Sequence, residues 1–257
     1  MIIASFNCNS IRARMPVLNR WLDTVSPDVL CLQETKVQDK DFPVEELLAS
    51  GYNSVFMGEK SYNGVAILAK EKMIDPFYGF DGKGEDEGTR LIAVKIGHVN
   101  IVNTYVPQGT SPDSEKFQYK LDWFSRLENF FRSGYNQKEP LIWLGDFNVA
   151  PDPIDVHNPK RLLGNVGYHP DEHAALAKVK SSGFTDVFRK HCTDEGQYSF
   201  WDYRAKDGVA KGLGWRVDHI WGNQSAAEKS TRSWIDREPR LWEKPSDHTP
   251  ILAEFNF

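Results

Sequence analysis

The chain has 257 residues, a formal net charge of −5, and 40% hydrophobic and 26% charged residues. This composition excludes a disordered chain and a membrane-spanning one: it is that of a globular protein with a sizeable core, and no apolar run approaches the roughly 18 residues of a spanning helix. The negative balance argues against a general polyanion binder, because phosphate contacts need Lys and Arg. A local basic face remains open, since residues 200–216 carry Arg204, Lys206, Lys211 and Arg216 against only Asp202 and Asp207.

The N-terminal MIIASFN enters a strand-like run at 2–6 without a basic segment or a small-residue cleavage site. A soluble, cytoplasmic protein is expected, nucleoid-associated in a prokaryote, folded as a single domain over residues 1–257. After Pro16, Val17, Leu18, Trp21, Leu22 and Val25 recur on one helical face until Ser26-Pro27 ends the pattern. Further strand-like runs lie at 29–32, 64–68, 91–96 and 101–106, and the acidic stretch 81–88 reads as a solvated loop rather than a metal site. A second helical stripe, Phe117, Leu121, Phe124, Leu127 and Phe131, ends at Gly134; a weaker one covers 172–180. Strand-like runs at 141–144, 215–221 and 251–255 complete the pattern. Many strands with few helices, in no regular βα alternation, predict an α/β sandwich of stacked sheets flanked by helices. Cys8, Cys31 and Cys192 are far apart and lack metal-site spacing, so buried free thiols are expected.

Polar groups repeatedly follow the apolar runs. The stretch LIWLGDFNVA breaks at Gly145 and then presents Asp146 and Asn148; SFNCN presents Asn7 and Asn9, and LCLQETK presents Gln33 and Glu34. NTYVPQG adds Tyr105 and Gln108, and Ser246-Asp247-His248 precedes PIL. One such ending is commonly a turn or a cap. Five in one chain are harder to dismiss, because strand ends gather at one edge of a layered fold. Carboxylates, amides, one phenol and one imidazole, without a Ser or Cys nucleophile signature, suit a hard divalent cation such as Mg²⁺ rather than zinc, and hydrolysis of a phosphoester by activated water.

FNCNSIRAR, CLQETK, NGVAI, NTYVPQG, GDFNVAP, SFWDYR, GLGWRVD and KPSDHTPI resemble, in order and spacing, the motifs of the exonuclease III family of abasic-site DNA endonucleases, over residues 3–255. The resemblance implies a four-layer α/β sandwich of two packed, mainly antiparallel sheets flanked by helices. It implies cleavage of duplex DNA 5′ to abasic sites to leave a 3′-hydroxyl, with 3′-to-5′ exonuclease and 3′-phosphodiesterase activity beside it. The expected cofactor is Mg²⁺, with Mn²⁺ as a substitute. The expected partner is duplex DNA with abasic sites or blocked 3′ ends, bound by a monomer with no membrane partner.

Residue by residue, the resemblance implies that Glu34 binds the metal, with Asp247 and Asn9 near it, and that Asp146 is the base that activates water, held by Asn148. It implies that His248, oriented by Asp218, donates to a phosphate oxygen, that Tyr105 places its phenol on the scissile phosphate, and that Asn7 and Asn165 bond phosphate oxygens. Gln108 joins the substrate-facing amides. A lost base leaves a flipped-out sugar that a small apolar pocket can select; Phe200, Trp215 and Val217 match the positions that line it, with Trp201 behind them. Core packing is the ordinary reading of a strand aromatic, and Trp201 divides evenly between the two. Arg204 would press into or hold the duplex, and Lys36, Arg90, Lys206 and Lys211 are candidate phosphate contacts, each equally well read as an ordinary solvated charge.

Strict alternation in WRVDHIW places Asp218 on the face opposite Trp215, Val217, His219 and Trp221, so the strand must twist or end there. Asn9 stands where animal members have an Asp, which weakens the case for a second tight metal position. TSPDS after NTYVPQG lacks their basic DNA-holding residue. His169 and His173 in HPDEH mimic a zinc-hydrolase pair, but Pro170 and the late Glu172 favour a helix N-terminus. Two other functions compete: a phosphoesterase of the wider superfamily acting on phosphoinositide or RNA, and a catalytically silent abasic-DNA-binding module. The first lacks a membrane-facing or RNA-binding surface in the sequence. The second predicts loss of a catalytic group, and Glu34, Asp146, Asn148, Asp218, Asp247 and His248 are all present.

Overall fold

The computed structural model describes residues 1–84 and 88–257; the acidic stretch 81–88 lies in part outside the described residues. Two six-stranded sheets stack face to face. The first contains β1 (Ile2–Asn7), β2 (Val29–Gln33), β3 (Asn53–Met57), β4 (Val65–Ala69), β11 (Ser230–Ile235) and β12 (Ile251–Phe255), in the order β11-β12-β1-β2-β4-β3. The second contains β5 (Met73–Tyr78), β6 (Leu91–Ile96), β7 (Val99–Tyr105), β8 (Leu141–Asp146), β9 (Phe184–Asp186) and β10 (Asp218–Asn223), in the order β5-β6-β7-β8-β10-β9.

Only β1 with β2 and β7 with β8 pair in parallel; the other strand pairs are antiparallel, as expected. A parallel pair needs a long crossover. The helices α1 (Ile11–Val25) and α3 (Glu115–Gly134) supply the two crossovers. Alternate residues of the central strands then face two different cores. Ile3, Val29, Cys31, Ile67, Ile101, Ile142 and Ile220 fill the space between the sheets. Ala4, Phe6, Leu30, Leu32 and Leu68 pack outward against Leu18, Trp21 and Leu22 of α1. On the opposite side, Val102, Trp143 and Trp221 meet Phe124, Leu127 and Phe131 of α3 and Leu176 and Val179 of α5 (Pro170–Lys180). The four layers are therefore helix, sheet, sheet and helix. Burial on both faces also explains why these strands read as continuous apolar runs.

Two expectations are corrected. The first helix starts at Ile11, not after Pro16, because Ile11 and Met15 extend the buried stripe one turn earlier; Pro16 sits on the exposed side. The strand expected at 215–221 begins only at Asp218, with Trp215 in isolated bridges to Val156 and Phe200. The alternation conflict at WRVDHIW is thereby removed. Short elements escaped the sequence patterns: strands β3, β5, β9 and β11, and helices α2 (Val44–Ala49), α4 (Pro159–Leu162), α6 (Val187–His191) and α7 (Gln224–Ala227). Among the described residues no helix is long and apolar enough to cross a membrane. Cys8 and Cys31 are buried and Cys192 is partly buried, and all three are free.

Candidate active site

Because β1–β2 and β7–β8 are parallel, the C-terminal ends of all four strands open at one edge, where antiparallel β10 and β12 begin. Asn7, Glu34, Tyr105, Asp146, Asp218 and His248 arrive there together. Gly145 answers for the break in LIWLGDFN. Its φ is +139°, and a Cβ at that position would collide with the backbone carbonyl of Thr104 on the neighbouring strand. A glycine lets β7 and β8 close up, so that Tyr105 and Asp146 stand in register.

The two sheets each contribute half of the polar cluster. Asn7 spans them: its Nδ2 donates to Glu34 Oε1 and to Asp146 Oδ2, each at 2.9 Å. Asp146 Oδ1 accepts from the Asn148 backbone N–H at 2.8 Å, and Asn148 Nδ2 donates to the Val106 carbonyl at 2.9 Å. His248 Nδ1 lies 2.8 Å from Asp218 Oδ2, and its Nε2 lies 3.8 Å from Asp146 Oδ2. Both ring nitrogens thus face carboxylates. Burial opposes charging of His248, but Asp218 and Asp146 outweigh it and raise its pKa to about 10. Burial is the main influence on Asp146 and lifts its carboxyl to about 7, against the favourable His248 charge. The Tyr105 phenol is pushed well above its ordinary value by burial and by Glu34 and Asp146.

A base of raised pKa beside a protonated imidazole is an acid–base arrangement usable near neutral pH. Activity that needs charged His248 should be retained through neutrality and fall as pH rises through about 10. A pH–rate series on the parent and His248→Asn checks this; an alkaline limb of unchanged position in the variant would refute it.

Glu34 Oε2 and Asn9 Oδ1 each lie 2.6 Å from the Lys36 ammonium, so these two oxygens already converge on a cation. Asn9 Nδ2 donates to Asp247 Oδ1 at 2.9 Å, which brings the third expected metal-site residue alongside. Among the described residues, the metal-capable groups whose ligand atoms lie within 4.8 Å of one another are Glu34, Asp146 and His248. A protonated His248 has no lone pair to offer, which leaves oxygen donors. Hard oxygens fit a hard divalent cation. Burial opposes ionisation of Glu34, but Lys36 and Asn7 hold its carboxyl below the usual range. Asn9, Ser10, Glu34, Lys36 and Asn148 all have φ between 45° and 85°, a concentration of left-handed non-glycine backbone at this edge.

Above the cluster opens a cleft of about 770 Å³. Asn9, Glu34, Tyr105, Gln108, Asn148, Asn165, Phe200, Arg204, Trp215, Val217, Asp247 and His248 line it, and Asn7, Asp146 and Asp218 lie buried beneath. Phe200 joins wall to chemistry: its backbone exchanges two hydrogen bonds with Trp215, and its ring centroid lies 4.8 Å from that of His248. Asn165 closes a turn through bonds to Leu162 and from Tyr168. Arg204 stands at the rim, with its exposed guanidinium on Asp202.

Trp201 is not brought into the cleft. It is 0% exposed, with its ring beside Tyr198 and under Arg237, and the reading of it as a substrate contact is corrected to core packing. HPDEH is a helix start, as Pro170 implies: His169 caps α5, and His173 Nε2 is 2.9 Å from the Ala150 carbonyl.

Sequence reasoning missed several supporting residues. Ser199 donates to Asp218 Oδ2 at 2.6 Å and accepts from the backbone N–H groups of Val217 and Asp218; it lies in SFWDYR, where its small hydroxyl among aromatics was a usable signal. Asn103 was also missed: it accepts at Oδ1 from buried Gln33, a strand-end amide the sequence did single out, at 2.7 Å, and its Nδ2 donates to the Leu32 and Ala66 carbonyls, bolting one sheet to the other. Tyr62 is 72% exposed, and its neighbour Asn63 accepts from the backbone N–H of Lys36, which lines the cleft.

Comparison with known proteins agrees with this geometry. Residues 4–248 match the endonuclease/exonuclease/phosphatase family. Exodeoxyribonuclease III of Haemophilus influenzae is 36% identical over 99% of this chain and 100% of its own length. The structure of an AP endonuclease from Archaeoglobus fulgidus superposes with a TM-score of 0.96 at 45% identity, covering 100% of both chains. That of a 3′ phosphatase from Neisseria bound to a product DNA hairpin gives 0.94 at 33% identity, again with 100% of both chains covered. With the four-layer fold and the Asn7–Asp146–His248 cluster already in place, these matches establish that the chain belongs to the endonuclease/exonuclease/phosphatase family, among its exodeoxyribonuclease III and AP endonuclease hydrolases.

Proposed function

We propose that this chain is a DNA repair hydrolase, a single catalytic domain working as a cytoplasmic monomer, that cuts the phosphodiester 5′ to an abasic site in duplex DNA and leaves a 3′-hydroxyl. The observation that carries the proposal is the position of the Asp146–His248 pair directly under a cleft walled by Phe200, Trp215 and Val217. An extruded sugar without its base fits an apolar wall, while its phosphate would meet His248, Tyr105 and Asn165; Asn7, expected to bond phosphate, is instead buried beneath them with its amide donors on Glu34 and Asp146.

In this reading Asp146 takes a proton from water, with its orientation set by Asn7 and the Asn148 N–H. His248, charged because Asp218 and Asp146 flank it, donates to a non-bridging phosphate oxygen as negative charge grows. Glu34, with Asn9 and Asp247 alongside, would hold Mg²⁺, or Mn²⁺ in its place. A divalent ion held there would supply Lewis-acid polarisation of the phosphate and neutralise developing negative charge. The Neisseria 3′ phosphatase and the Haemophilus exodeoxyribonuclease favour a second use of the same cleft, removal of nucleotides or blocking groups from 3′ ends.

The test is an end-labelled duplex with one central tetrahydrofuran abasic analogue, incubated with Mg²⁺ or with EDTA. A single Mg²⁺-dependent nick 5′ to the analogue is expected. Hydrolysis of phosphoinositide or single-stranded RNA with an intact duplex would sink the abasic-DNA reading, and tight binding without cutting would support a silent module.

A further inference from the structure

Lys120, in the second turn of α3, is 0% exposed. An ammonium that leaves water must find strong partners, so its contacts report what it is for. Its Nζ lies 2.5 Å from Glu172 Oε1 and donates to the backbone carbonyls of Asn148 at 2.8 Å and Gln108 at 3.1 Å. Glu172, also 0% exposed, sits in the first turn of α5 and accepts from the N–H groups of Gly167 at 2.7 Å and His169 at 3.1 Å through its other oxygen. One buried pair thereby ties α3 to three separate chain segments, and Gln108, Asn148 and Gly167 each line the cleft.

Two features separate this arrangement from ordinary packing. The helices α3 and α5 already meet through Phe124, Leu127, Phe131, Leu176 and Val179, so their contact does not require an ion pair. A buried ion pair is moreover often no more stabilising than apolar residues of equal volume. Asn148 itself has φ +52°, with its N–H on Asp146 and its side-chain amide on Val106. The Lys120 ammonium gives its carbonyl a third tether, from the side away from the cleft.

We propose that Lys120 and Glu172 form a positioning pair for phosphodiester cleavage, holding the Asn148 peptide and the turn that bears Asn165 in fixed relation to Asp146 without touching substrate. The proposal rests on the cleft being the reaction site. It does not depend on which DNA lesion is cut.

The experiment compares the parent, Lys120→Met and the double variant Lys120→Met/Glu172→Gln, each with Mg²⁺. Substrates are the tetrahydrofuran duplex and an undamaged duplex with a recessed 3′ end, and thermal unfolding and duplex affinity in EDTA are measured alongside. Lys120→Met strands a buried carboxylate and lowers Tm. The double variant removes both charges while keeping an acceptor for the backbone N–H groups, so its Tm returns toward the parent value.

A small displacement of positioned groups costs on the order of 10²-fold in rate. The pair as proposed predicts kcat lower by about that factor in both variants, with KM and duplex affinity changed only severalfold. Recovery of kcat together with Tm in the double variant would overturn it, because the pair would then serve stability alone. Equal weakening of kcat and duplex affinity would also overturn it. A parent active only on the recessed end would refute the abasic-site reading and leave the positioning pair to be judged on that substrate.

Discussion

Asp146→Asn is expected to remove about 10²–10⁴-fold of the cleavage rate, the range a positioned general base supplies, without lowering thermal stability appreciably. The two halves of this prediction have one cause. Asp146 is 1% exposed, and burial lifts its pKa to about 7, so its ionised form is less favoured in the folded chain than in the unfolded one. For a carboxyl raised in this way, linkage makes the folded state lose stability as pH rises from about 4 towards 7, the interval between the unfolded and folded pKa values.

The amide carries no such penalty. Against that gain, its single oxygen can accept from Asn7 Nδ2 or from the Asn148 N–H but not well from both, a loss of about 1 kcal/mol. The two effects oppose each other and Tm should stay near the parent value. His248 meanwhile loses one of its two flanking carboxylates, so its imidazolium should titrate at lower pH in the variant. Single-turnover cleavage, calorimetry and an NMR titration of His248 measure the three consequences. A variant that cuts within about tenfold of the parent would remove Asp146 from the role of base.

Arg216→Met is expected to be the most destabilising of these substitutions, by about 3–5 kcal/mol, because it leaves buried carboxylates without their cation. The Arg216 guanidinium is 0% exposed and donates to Asp155 Oδ1 at 2.7 Å, Asp155 Oδ2 at 2.9 Å and Asp186 Oδ2 at 2.8 Å. Arg189 shares Asp155, but Asp186 has no second guanidinium among the described bonds. For a chain of this size the loss corresponds to a fall in Tm of roughly 10 °C. A fall of less than about 2 °C would show that the network is held by packing instead.

The same network sets an acid limit. Arg216 Nη1 lies 2.9 Å from His219 Nδ1, and His219 Nε2 lies 2.8 Å from the Val149 carbonyl. A guanidinium only donates and a carbonyl only accepts, so His219 is the neutral tautomer with its proton on Nε2. Burial first, and then Arg216, lower its pKa to about 4. A depressed folded pKa means that this contribution is complete above about 6.5 and is lost as pH falls through about 4. In Arg216→Met the facing cation is gone while Asp155 and Asp186 remain, so the pKa of His219 should rise and that acid loss should shrink. Denaturation midpoints between pH 4 and pH 7 for both proteins compare the two directly.

Much of the fold was legible because the central strands are buried on both faces. Ile3, Leu30, Ile67, Ile101, Ile142 and Leu252 lie in runs that have no polar face to show. The strands that went unread are the four sheet edges, β3, β5, β9 and β11. An edge strand needs only partial burial and leaves one set of backbone groups unpaired, so its sequence tolerates polar residues and even Pro76, which sits in β5 at a register shift. The site divides in the same way. Asp146, Asn148, Glu34 and His248 announce themselves because polar groups at the end of an apolar run must do something. Ser199, Asn103 and the Lys120–Glu172 pair act through partners 19, 71 and 52 positions away, which no local pattern marks, and the Asn7–Asp146 bond spans 139.

By itself the amino-acid order determined the layered α/β class, the set of strand-end groups and the hydrolytic chemistry they suit, because periodicity and residue type are local properties that a chain carries before it folds. Only the tertiary structure decided which of those groups meet. The strand end at Asp218, the burial of Trp201, the approach of His248 to Asp146 and the Lys120–Glu172 tie all depend on how two sheets and their crossover helices stack. Such meetings are settled by close packing and by the need of every buried charge for a partner, and both are properties of the assembled core rather than of any segment.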